Sequence, residues 1–116
     1  MGVIAKFVYE IRPGRFNDFM AILGQAASPK FNSTAMPKSV RLFRSTVPGP
    51  DTNSIQLFIE YTDMAAHGAR AVFEGSSPEW RTLFNETADS PQKLVSVELL
   101  SEIIPSAPLS PGELVR

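Results

Sequence analysis

Apolar and polar positions alternate with two different periods along this chain, and each change of period marks a new element. From Val3 to Ile11 the period is two. Val3, Ala5, Phe7, Tyr9 and Ile11 form an apolar set, while Ile4, Lys6, Val8 and Glu10 are mixed. Successive residues of a strand face opposite sides, so this segment predicts a strand with one buried face. Pro13-Gly14 then breaks the pattern. From Arg15 to Gly24 the period lengthens: Phe16, Phe19, Met20 and Leu23 fall on one helical stripe. Residues 26–37 predict a loop of about twelve residues, long enough to be either functional or simply disordered.

Alternation returns over Ser39–Val47 and again over Ser54–Thr62. Val40, Leu42 and Thr46 oppose Arg41, Phe43 and Val47; Ile55, Leu57, Ile59 and Tyr61 oppose Gln56, Phe58, Glu60 and Thr62. The turn residues Pro48-Gly49-Pro50-Asp51-Thr52-Asn53 are too few for a crossover, so these two strands form an antiparallel hairpin. Asp63 is the N-cap of a second helix, with Ala65, Gly68, Ala69, Val72 and Phe73 as its apolar stripe. Gly75 ends that helix. Ser77-Pro78-Glu79 starts another, with Ser as cap and Pro at the first helical position. Trp80, Leu83 and Phe84 are its buried side. Lys93–Ile104 is a last strand, where Val95, Val97, Leu99 and Ile103 alternate with Ser96, Glu98 and Glu102.

The order is β-α-β-β-α-β with the second helix in two pieces. This is a ferredoxin-like α+β plan: a four-stranded antiparallel sheet with helices on one face. Residues 1–104 make this domain, and the Pro-rich residues 105–116 read as a C-terminal arm, either disordered or docked on a partner. The sheet's other face carries apolar residues whichever strand set it takes. Monomers avoid such patches. A homodimer packed through the sheet faces is therefore expected.

Composition narrows the chemistry. The 116 residues suit one domain. Eleven Lys plus Arg balance twelve Asp plus Glu, with no basic block, so no nucleic-acid partner is expected. The absence of Cys removes disulfides, thiol nucleophiles and thiolate metal sites. With one His and no suitably spaced carboxylates, no metal site and no cofactor are expected. There is no phosphate-binding Gly motif and no legible Ser-His-Asp set. Residues 1–6 are too short an apolar run for a signal peptide, and no stretch of about 18 apolar residues exists to span a bilayer. A cytoplasmic protein with no membrane partner is the expectation.

The strand end Glu10-Ile11-Arg12-Pro13-Gly14-Arg15, the hairpin strand Phe58-Ile59-Glu60-Tyr61 and the segment Ser76-Ser77-Pro78-Glu79-Trp80 together resemble the dimeric α/β-barrel superfamily. Within it the chain is most similar to NIPSNAP-like and antibiotic-biosynthesis-monooxygenase-like domains, over residues 3 to 104. The last segment resembles the small-Asp-Pro-x-Trp helix start of NIPSNAP-like members. The resemblance implies the fold. For activity it implies a range: cofactor-independent monooxygenases, haem-degrading and haem-peroxidase proteins, muconolactone-isomerase-like enzymes, and domains without known activity.

The candidate catalytic residues are His67 and Trp80. His67 titrates near neutrality unaided and could act as a base or an axial haem ligand; the plainer reading is a solvent-edge or interface His. Trp80 is a pocket wall or a core ring whose N–H needs a partner. Tyr9, Arg41, Phe43 and Phe58 are candidate substrate-binding residues. Tyr9, Phe43, Phe58, His67 and Trp80 would wall a small apolar or aromatic ligand between sheet and helices, and Arg41 could pair a substrate carboxylate. Arg41 and Arg44 lie on opposite faces of their strand, so only one can enter a pocket. Two functions stand at this point. One is a monooxygenase- or isomerase-like enzyme on such a substrate, with no cofactor; the other is a non-catalytic dimeric binding or scaffold domain with a filled interior.

Overall fold

A computed structural model describes residues 2–45 and 54–103 of the chain. Strands β1 (Val3–Ile11), β2 (Ser39–Arg44), β3 (Ser54–Tyr61) and β4 (Gln92–Ser101) form one sheet in the order β2-β3-β1-β4. All neighbouring strands are antiparallel. Helices α1 (Phe16–Ala26), α2 (Met64–Ser76) and α3 (Pro78–Leu83) complete the ferredoxin-like α+β arrangement. The turn at 46–53, the end of the second expected strand, and the arm lie outside the described residues.

The register shows which alternating set lies beneath the helices. Tyr9 pairs with Ile55, Phe7 with Leu57 and Leu57 with Leu42, so these residues share one face. With Phe19, the one fully buried ring of α1, Tyr9, Ile11, Ile55 and Leu57 make the core. Lys6 pairs with Phe58, which pairs with Arg41, and these occupy the open face. A bulge opposite Val8/Tyr9 shifts β4, pairing Val8 with Ser96 but Tyr9 with Leu94. Simple alternation through Val95 therefore fails: Val95 is the extra residue, and Leu94 takes its place beside Val97 and Leu99 on the helix side.

Several local expectations are corrected. Of the two ends the sequence allows for helix α1, Gly24 or the following Ala-Ala-Ser-Pro, the second holds: the helix runs through Gly24 to Ala26, because it tolerates an interior Gly at a modest cost and stops as Pro29 approaches. Met20, placed on the buried stripe, lies at the surface. The 26–37 loop contains a 3-10 turn, Pro29–Phe31, that buries Phe31. The largest correction concerns α2. Of its expected inward stripe only Phe73 faces in; Ala65, Gly68, Ala69 and Val72 are exposed, Val72 by 73%, while Arg70 is 3% exposed. Small residues such as Ala65, Gly68 and Ala69 gain little by burial. Beside Phe73 the helix turns the Arg70–Glu74 pair inward, where Arg70 finds hydrogen-bond acceptors. Both caps stand as expected. Asp63 Oδ1 accepts from the Ala66 N–H at 2.8 Å, and Ser77 Oγ accepts from the Trp80 N–H at 3.2 Å. Gln92, opposite Ile11, is buried with neither side-chain amide atom partnered among the described residues.

Candidate functional site

Between the β2–β3 side of the sheet and the helices lies a cavity of about 500 Å³. Leu57 and Ile59 form its floor from β3, Val40 and Leu42 one wall from β2, and Leu23 and Phe84 the opposite wall. These positions are apolar because they belong to the sheet's helix-side set, to the inner face of α1 and to the C-cap of α3. The loop adds Met36 and Pro37. Arg70 is the sole ionisable side chain among the described lining residues.

Arg70 is held from several sides. Nε donates to Glu74 Oε2 at 2.9 Å, one turn along α2. Nη1 donates to the Phe31 carbonyl at 2.6 Å, with Ser33 Oγ at 3.1 Å and Met36 Sδ at 3.4 Å. The guanidinium carbon lies 4.7 Å from the Phe73 ring centroid and 5.1 Å from that of Trp80. Nη2 has no hydrogen-bond partner among the described residues. A guanidinium stays charged even when buried, so this site offers a fixed positive donor in an apolar space.

Behind Arg70 sits a titratable cluster. Burial pushes the Glu74 carboxyl above the usual carboxylate range, against the bond and charge of Arg70 and the charge of His67. Burial, reinforced by Glu74 and opposed by Arg70, pushes the Tyr61 hydroxyl up to about 12. Tyr9 is likewise raised to about 12, chiefly by burial and then by Glu86 and Glu74. His67 is half-buried with its ring edge-on to Tyr61, centroids 5.2 Å apart.

The structure divides the expected site residues between two faces. Tyr9, His67 and Trp80 are on the helix side. Tyr9 is a core ring against Phe19 at 4.9 Å. Trp80 packs edge-on to Phe31 at 5.2 Å and supports Arg70 from below. None of these three lines the cavity. Phe43 and Phe58 do not wall it either, because strand parity turns them, with Arg41, onto the open face. There they border a trough of about 600 Å³ with Glu60 and Glu102. Phe43 and Phe58 meet edge-on at 5.4 Å, and Arg41 lies 5.0 Å from the Phe43 ring. Sequence reasoning missed Arg70. Its one signal was Glu74 four residues later, a spacing that ordinarily marks a solvent-exposed helix pair.

No protein-family model matches the chain, and no curated protein matches it. Solved structures do. A NIPSNAP-like domain protein from Burkholderia xenovorans superposes with TM-score 0.65 at 18% identity, covering 95% of this chain and 92% of that one. A protein from Bordetella bronchiseptica, assigned to antibiotic biosynthesis monooxygenases, gives TM-score 0.61 at 24% identity, over 89% of this chain and 98% of that one. SnoaB, a cofactor-independent oxygenase from Streptomyces nogalater, gives 0.64 at 12% identity, over 90% and 95%. The chain has the fold shared by NIPSNAP-like and antibiotic-biosynthesis-monooxygenase-like proteins. Among the described residues no helix is long and apolar enough to cross a membrane.

Proposed function

We propose that the protein binds a small, mostly apolar aromatic molecule in the cavity, with one oxygen of that molecule on Arg70, and oxygenates it without a cofactor. The observation that carries this reading is the cavity itself. A scaffold domain would fill its interior, whereas about 500 Å³ falls in the range of small-molecule sites. A carboxylate would want two parallel N–H groups. Nε and Nη1 are already engaged, so the one remaining nitrogen suits a single oxygen, as in a phenol or enol. The fixed charge would stabilise the anion of such a group against the apolar lining of the site. With no base among the described lining residues, the substrate's own anion would supply electrons to dioxygen. The fold shared with a cofactor-independent oxygenase supports this reading. Haem fits poorly: His67, the chain's one His, is not among the described lining residues of the cavity.

The test is calorimetric titration with 1-naphthol and 1-methoxynaphthalene. The naphthol is expected to bind about tenfold more tightly, as a charged donor meets a better acceptor. Ala27→Trp, which fills the cavity, is expected to abolish both. Turnover would consume one dioxygen per naphthol, giving naphthoquinone and water, and is read with an oxygen electrode. Failure of both ligands to bind overturns the reading. Binding without oxygen uptake leaves a non-catalytic binding domain.

We further propose that a second copy covers the open sheet face. Ile4, Val8, Phe43 and Phe58 lie there among Lys6, Arg41, Glu98 and Glu102, and these charges make no ion pair among the described residues. A two-fold axis can place the cations of one copy against the carboxylates of the other.

A further inference from the structure

The segment Ser33–Pro37 is fixed in an unusual way. Its chain-side flank is anchored: Phe31 is buried 96% of the way, at 4% exposure, against Trp80. Its other flank enters β2, where the Lys38 N–H donates to the Glu60 carbonyl at 2.7 Å. Over residues 33–37 themselves no backbone–backbone hydrogen bond is formed among the described residues, the last before them being Asn32 N–H to the Pro29 carbonyl. Internally, Ser33 Oγ donates to the Ala35 carbonyl at 3.0 Å and the Ser33 N–H to Met36 Sδ at 3.3 Å. The segment's polar tie to the body of the protein is Arg70 Nη1, through Ser33 Oγ and Met36 Sδ.

One nitrogen thus serves three acceptors with two hydrogens. The Phe31 carbonyl takes the shortest bond, at 2.6 Å. Ser33 Oγ and Met36 Sδ share what remains, and a thioether is a weak acceptor. The anchor is therefore strong and the tie on 33–37 is weak. Met36 and Pro37 also line the cavity, while Met36 is 44% exposed to solvent. The same side chain stands between cavity and solvent.

We propose that Ser33–Pro37 is a lid over the cavity, latched by Arg70 Nη1 and hinged at Asn32 and Lys38. Releasing Ser33 and Met36 opens the cavity, while the Phe31 bond keeps Arg70 in place. The lid's role in ligand access rests on the cavity reading above; its motion does not.

Ser33→Ala removes one of the two ties to Arg70 Nη1, together with the segment's internal bond to the Ala35 carbonyl, and leaves the Arg70–Phe31 bond, the core and the cavity's apolar wall in place. Two measurements keep the two readings distinguishable. The first follows the Met36 methyl resonance by relaxation dispersion in ligand-free protein, where lid opening falls in the microsecond-to-millisecond range. Loss of one net hydrogen bond is expected to raise the open population about fivefold in Ser33→Ala. The second is stopped-flow binding of 1-naphthol, read through Trp80, the single Trp of the chain. The association rate is expected to rise by a similar factor. Lys30→Ala, which cuts the exposed Lys30–Glu79 bridge outside the lid, serves as the control and should leave both unchanged. If Met36 shows no exchange in either protein, or the same exchange in both, the lid is overturned, whether or not naphthol binds. If exchange rises but naphthol association does not, the segment moves without gating the cavity, and the proposal also fails.

Discussion

Taking a guanidinium out of water is expensive unless its donors are satisfied, and this chain meets that demand at Nε and Nη1 of Arg70. Glu74, the Phe31 carbonyl and two aromatic faces surround it. The same burial acts on the phenols beside it. Tyr61 and Tyr9 hold their protons to about 12, whereas an unfolded chain releases them at the ordinary value of 10.0. Between those values the native state binds more protons than the unfolded state, so stability falls as pH rises through that window. Urea midpoints at about pH 9 and about pH 11 should show this fall, and Tyr61→Phe should flatten it. An equal fall in the variant would show that Tyr61 does not contribute.

At the level of elements, caps and alternation were legible and facing was not. Asp63 and Ser77 announce helix starts because a short polar side chain before a helical run has one common use. The strand β1 was legible to the residue, since its apolar set is unbroken. The facing of α2 was hidden because Ala and Gly give a weak stripe and a buried Arg resembles a solvated one. The site was less legible than the fold for the same reason. Strand parity separated Arg41 from Arg44, but which set lay beneath the helices needed the register. Ser77 also positions function: its hydroxyl caps α3 and so places Trp80 under Arg70. Ser77→Ala should lower stability by about 1 kcal/mol. It should also shift the emission of Trp80; unchanged emission and stability would mean that α3 is held by packing alone.

For the whole molecule, a one-layer sheet leaves two surfaces with different work. The helix side encloses the cavity; the open side presents Phe43 and Phe58 among charges that make no ion pair among the described residues. If a second copy covers that side, Phe58→Glu should halve the mass seen by light scattering while the far-ultraviolet circular dichroism stays unchanged. A wild-type monomer would remove the proposed dimer. The division of faces also decides where a ligand binds. Nuclear Overhauser contacts from the ring protons of bound 1-naphthol test this most directly. Contacts to the methyl groups of Leu23 and Leu57, lost in Ala27→Trp, are predicted. Contacts to the Phe43 and Phe58 rings instead, or none at saturating naphthol, would contradict a site between sheet and helices.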